Sequence, residues 1–164
     1  MAQIYQIYDR IFKRIFALSN RAIINLINGL FGTGYPPDSE VFYSNKEFVG
    51  RTLKKRFADV FIAINGTSYH LEAQMTEEKR IVVRVFEYGF YYAMENMGDQ
   101  DEVLNFPDPV VIYLDADTDI PEKSSLTLKF ASHGTFQYEV KNFIYQEHEV
   151  GELNQKKLIC CDIV

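Results

Sequence analysis

The chain has 164 residues, 47% of them hydrophobic and 24% charged, which are ordinary values for one soluble globular domain large enough to bury a substantial core. Its net charge of −6 argues against indiscriminate binding of nucleic acid through bulk electrostatics. No stretch approaches the ~18 uninterrupted apolar residues of a membrane span, and the adjacent Cys160 and Cys161 imply neither a disulfide framework nor a zinc site.

Residues Ile4 to Leu18 place Ile4, Ile7, Ile11, Ile15 and Leu18 at helical spacing, with Tyr8, Phe12 and Phe16 widening the apolar stripe. Asp9, Arg10, Lys13 and Arg14 lie within this pattern, which speaks against a signal peptide and for a cytoplasmic protein. Ser19 or Asn20 caps a second expected helix through Ile23, Ile24, Leu26, Ile27 and Leu30 to about Phe31, where Gly32 and Gly34 stop it. The loop Gly34-Tyr-Pro-Pro-Asp38 breaks the pattern. Val41 to Tyr43 reads as a short strand, and Ser44 to Lys55 is ambiguous.

Arg56 to Ile64 then reads as a strand, Asn65-Gly66 as a tight turn and Tyr69 to Met75 as the returning strand. Asn-Gly is the strongest short-range hairpin signal. With Asn65 and Gly66 as the two central turn residues, Asp59 falls directly opposite Glu72, and Gln74 follows on the same face. A four-residue loop, Asn65 to Ser68, would instead set Asp59 opposite Gln74. Ala58, Val60, Ile62 and Ile64 join Tyr69, Leu71, Ala73 and Met75 in an apolar side, while Asp59, Phe61, His70, Glu72 and Gln74 share the other. Like charges directly opposed are destabilising, so the pair needs a reason. One is a solvated polar face. The other is a divalent cation, because two carboxylates completed by water and a phosphate form the oxygen set that Mg²⁺ prefers.

Glu77 to Met97 has helical spacing, with Val82, Val83, Phe86, Phe90, Ala93 and Met97 apolar and Gly98-Asp99 as its end. Val110 to Asp115 is a nearly continuous apolar run, as in a strand buried on both sides. Strand, helix, strand in that order implies a right-handed parallel crossover. Leu126 to Ala131 and Thr135 to Tyr145, joined at His133-Gly134, form a second hairpin, and Lys157 to Val164 adds a last short strand. The order α, β-hairpin, α, β with further strands behind defines an α/β layered domain with a mixed sheet.

Charge is unevenly spread. Residues 1–56 hold nine Lys/Arg against four Asp/Glu, a net of +5, which leaves −11 for the remainder. The basic segment is densest at Arg51, Lys54, Lys55 and Arg56 and leads into the strand bearing Asp59. It is either a solvated loop or a guide for a phosphate backbone toward a metal.

The phrases Tyr8-Asp-Arg-Ile-Phe-Lys13, Arg56-Phe-Ala-Asp59, His70-Leu-Glu-Ala-Gln74 and Arg84-Val-Phe-Glu-Tyr88 resemble the PD-(D/E)XK nuclease family. More narrowly, they resemble its transposase branch and the related recombination-promoting nucleases of bacteria, over roughly residues 5 to 115. The resemblance implies a single restriction-endonuclease-like domain over residues 1–164, with an α-β-β-α-β core and extra C-terminal strands. It implies Asp59 and Glu72 as Mg²⁺ ligands, assisted by the backbone carbonyl of Ala73, with Mn²⁺ able to substitute, and Gln74 positioning the attacking water. The implied activity is endonucleolytic cleavage of DNA in mobile-element movement, recombination or defence, by a protein that forms a homodimer and has no membrane partner. Asp9 or Glu40 would add a further acidic ligand. Members of that branch tend to be longer, so a further C-terminal region is expected that this chain lacks. Two positions depart from the pattern: Ala58 stands for Pro, and Gln74 stands for Lys, hydrogen-bonding without bringing charge. The alternative is therefore a relative without turnover, serving as a nucleic-acid- or protein-interaction module.

Three further groups carry two readings each. His70 is a substrate contact or a packed histidine. Arg84 and Tyr88, four apart on one helix face, contact phosphate or support the Glu72 strand, or else pack helix to sheet. Asp115, Asp117 and Asp119 alternate like loose cation ligands but lack the Gly and terminal Glu of a calcium loop, and read as a polar turn. No phosphate-cradling glycine loop or Ser/His/Asp set stands out, so nucleotide-dependent and triad chemistries have no foothold.

Overall fold

The computed structural model describes residues 19–44, 59–74, 76–98, 102–114 and 119–145, with Ser44 and Asp59 described by their backbone alone. The expected first helix (Ile4 to Leu18), the basic segment 51–56, Asp115, Asp117 and the expected last strand lie outside these residues.

The first described helix, α1 (Asn20–Phe31), starts where Ser19 turns extended, its Oγ accepting a hydrogen bond from the Ala22 amide at 3.2 Å. It ends at Gly32, whose φ of 68° is the left-handed conformation that glycine adopts without a Cβ clash. One face of α1 buries Ile23, Ile24, Leu26, Ile27 and Leu30. Asn28 fastens the loop that follows, donating to the Tyr35 carbonyl at 2.9 Å and accepting from the Tyr35 amide and the Thr33 hydroxyl, both at 2.8 Å.

Six strands form one mixed sheet. They are β1 (Val41–Ser44), β2 (Asp59–Ile64), β3 (Thr67–Gln74), β4 (Asp108–Tyr113), β5 (Lys123–Phe130) and β6 (Gly134–Ile144), in spatial order β1-β2-β3-β4-β6-β5. β3, β4 and β6 run parallel, and the other pairings are antiparallel. Between β3 and β4 lies the second helix, α2 (Ile81–Glu95). The α/β class, the mixed sheet, the two hairpins and the parallel return after the helix are as the sequence pattern implied.

Central β4 is buried on both sides, with Val110, Val111, Ile112 and Tyr113 at 5% exposure or less. Alternation divides its side chains between two cores. Val110 and Ile112 join α1, Val60, Ile62, Ile64, Tyr69, Leu71 and Ala73 on one face. Val111 and Tyr113 join Ile81, Val85, Tyr138 and Val140 on the α2 face. Lys141 of β6 donates to the Leu30 carbonyl at 2.7 Å, capping the C-terminus of α1 across 111 residues of sequence.

α2 departs from the expected helix in its start and in its buried stripe. It begins at Ile81 rather than Glu77, because Arg80 takes a positive φ of 76° and residues 79–80 form a turn. The side facing the sheet carries Ile81, Val85, Tyr88, Gly89, Tyr92 and Ala93, while Phe90 and Met97 are 37% and 36% exposed. Tyrosine can occupy that stripe because its ring buries while its hydroxyl finds a partner, as Tyr92 does in its 3.1 Å hydrogen bond with Ser68. A Cβ at Gly89 would meet Phe106 Cδ1 at 3.4 Å, so glycine admits the connection to β4. Among the described residues no helix is long and apolar enough to cross a membrane.

Candidate active site

The hairpin sets the site. Asn65 and Gly66 both have positive φ, 49° and 85°, as a two-residue turn matched to the strand twist requires. The pairing that results is Ile64 with Thr67, Phe61 with His70, and Asp59 with Glu72. The two-residue turn is therefore the loop that forms, and the four-residue alternative is excluded. Directly opposed positions of an antiparallel pair share one face of the sheet, here the face that α2 covers.

At Glu72, His70 and Phe61 that cover excludes a solvated face. Glu72 and His70 are fully buried, and Phe61 is 1% exposed. Phe61 stacks on His70 with ring centroids 4.3 Å apart and on Tyr92 at 4.6 Å, and Tyr88 lies 6.4 Å from His70. His70 is thus a packed aromatic element beneath α2.

A buried carboxylate needs compensation. Two donors converge on Glu72 Oε1: the Gln74 side-chain amide and Arg84 Nη2, which also forms an ion pair with it. The other guanidinium nitrogen, Nη1, donates to Glu78 Oε2 at 2.6 Å. Glu72 Oε2 is buried with no hydrogen-bond partner among the described residues. A carboxylate oxygen left in that condition is costly unless something cationic or protic meets it, and a divalent cation is one group that would do so. Arg84 therefore supports the Glu72 strand, one of the roles its helix position allowed, while Tyr88 on the same face packs against the sheet.

The site lies at the carboxyl end of parallel strands β3 and β4, where ligands of open α/β sheets bind. Gln74 is level with Tyr113, and the Leu114 amide donates to the Gln74 carbonyl at 2.8 Å. Burial pushes the Tyr113 phenol up to about 12, with Glu77 and Glu78 raising it further and Arg84 opposing. Ala73 turns its side chain into the α1-side core and follows Glu72 in the same strand.

Glu40 does not join this group. It precedes Val41, which pairs with Ile64 at the turn end of the hairpin, about 20 Å along the strands from Asp59 at roughly 3.3 Å per residue. Asp119 is exposed, and Asp9 lies outside the described residues. Among the described residues no three His, Cys, Asp or Glu side chains form a metal-binding group. Glu78 and Tyr113 had no sequence signal: each gains its place through the turn before α2 or through the parallel register. No family model matches the chain, and no curated protein or solved structure matches it.

Proposed function

We propose that the protein is a Mg²⁺-dependent DNA endonuclease of the transposase-like PD-(D/E)XK kind. The observation that carries this reading is the pairing of Asp59 with Glu72 across the hairpin, beside a buried Glu72 oxygen that no described residue satisfies. The order helix, hairpin, helix, parallel strand supports it, being the order that the sequence resemblance implies.

Asp59, Glu72 and the Ala73 carbonyl are the groups that would hold the cation, with Mn²⁺ as a substitute. Bound there, it lowers the pKa of a water and polarises the phosphoryl oxygen. Gln74 offers an amide carbonyl that accepts a hydrogen bond from the attacking water and so orients it. In the reaction the water oxygen bonds to phosphorus and gives its proton to solvent. The bond to the leaving sugar oxygen breaks, and that oxygen keeps the electron pair and takes up a proton.

The test is supercoiled plasmid incubated with the purified chain and Mg²⁺ or Mn²⁺. Asp59→Ala and Glu72→Ala each reduce cleavage by at least about 100-fold, the scale of removing one electrostatic contact from a reacting centre; EDTA abolishes it and Gln74→Lys retains part of it. Cutting that persists in both alanine variants assigns the activity to another site.

One observation favours a second reading, a relative without turnover that serves as a nucleic-acid- or protein-interaction module. Glu72 already has its charge balanced by Arg84, as an ion pair kept for structure would. Calorimetric titration with Mn²⁺ separates the two, since the module has no need of a cation and releases no Glu72-dependent heat.

A further inference from the structure

Resting on the nuclease reading, we infer that Arg84 is a further catalytic residue, the cation that faces the phosphoryl group during cleavage. The argument is one of charge. Asp59 and Glu72 together cancel a divalent cation, and Gln74 is neutral. A phosphodiester carries one negative charge and gains another as an anionic oxygen adds to phosphorus, so the reacting centre needs a positive group aimed at that oxygen.

Among the described residues, Arg84 is the cation that the fold brings against Glu72. Its Nη2 and the Gln74 amide meet at one oxygen, Glu72 Oε1, so the guanidinium sits beside the side chain that is to hold the water. The two arms of its fork differ in what holds them. Nη2 is anchored on a fully buried carboxylate, whereas Nη1 pairs with Glu78, whose side chain is 45% exposed. An exposed pair of this kind is weak in water, and a phosphate accepts the same fork geometry more strongly. Nη1 exchanges Glu78 for the phosphate while Nη2 keeps the orientation. The Arg84 side chain is 16% exposed and that of Glu72 only 1%, so the guanidinium is the partner of the two that reaches solvent.

Single-turnover plasmid cleavage with Mn²⁺ tests this on the full chain and on Arg84→Gln, Arg84→Lys and the double variant Arg84→Gln/Gln74→Lys. Expected is a fall of about 100-fold or more in Arg84→Gln, a smaller fall in Arg84→Lys, and recovery of at least about tenfold in the double variant, where the ammonium introduced by Gln74→Lys restores the charge beside Glu72. Mn²⁺ affinity of Arg84→Gln, read by electron paramagnetic resonance, is no weaker than that of the unsubstituted chain, because removing a cation cannot repel another; a purely structural role would lower it. Cleavage by Arg84→Gln at the unsubstituted rate overturns the assignment, and so does a double variant that fails to fold or folds without cutting, since the two positions must be interchangeable sources of that charge. An unsubstituted chain that does not cut removes the nuclease reading itself and Arg84's role with it, an outcome distinct from the other two.

Discussion

Glu72 concentrates the chemistry of the molecule in one carboxylate: fully buried, one oxygen carrying two donors and the other carrying none among the described residues. Truncating Arg84 to Ala leaves that charge unpaired and destabilises the fold by about 3–5 kcal/mol, read as a shift in the urea midpoint. Glu78→Gln has the opposite character. It frees Nη1 at an exposed position, leaves stability within about 0.5 kcal/mol, and lowers the DNA concentration needed for half-maximal cleavage; a raised requirement would show that Glu78 helps the substrate. Tyr113 supplies a pH prediction. Its phenol is raised from 10.0 to about 12 by burial, so its contribution is fully present below pH 10 and is lost between 10 and 12, as the unfolded chain ionises first. Two units correspond to roughly 2–3 kcal/mol, and Tyr113→Phe shows a smaller loss when urea midpoints are compared at about pH 9 and pH 11.5. The opposition of Asp59 and Glu72 was legible in the sequence because Asn-Gly fixes loop length, and loop length fixes pairing. The grip of Arg84 on Glu72 was legible only as one of several roles, since helix periodicity groups Arg84 with Tyr88 without saying which strand residue either meets.

The hairpin and α1 carry the most sequence information because each has its punctuation in the chain. Gly66 at φ 85° admits no side chain without strain, and Gly66→Ala costs about 1–2 kcal/mol while loosening the pairing that opposes Asp59 and Glu72. Ser19→Ala removes the cap on the Ala22 amide and costs about 1 kcal/mol; both are measured by chemical denaturation. α2 was legible as a helix but not in its orientation. Apolar periodicity favoured a stripe through Phe90 and Met97, whereas the sheet receives Tyr88 and Tyr92. A hydropathy pattern ranks tyrosine below phenylalanine, and only the partners waiting on the sheet, Ser68 and the Phe61–His70 stack, reverse the order. Its start is hidden for a similar reason: nothing in Glu77 to Arg80 announces that Arg80 takes a positive φ.

Across the whole chain the charge is divided, +5 over residues 1–56 and −11 beyond, and under the proposed nuclease function this predicts directional rather than general attraction for DNA. Changing Arg51, Lys54, Lys55 and Arg56 to Gln reduces the slope of log affinity against log salt by up to about 3–4, at ~0.9 per phosphate contact; an unchanged slope places the DNA elsewhere. The sheet also holds a consequence for synthesis. β6 comes after β5 in the chain yet lies between β4 and β5, and β5 reaches the sheet only through it. A nascent polypeptide on the ribosome that has reached residue 133 therefore has a bare ladder along Val110–Tyr113 and an orphan strand with nowhere to dock. Such edges recruit neighbouring chains, so the interval in which residues 134–144 are translated is when this protein most needs a chaperone.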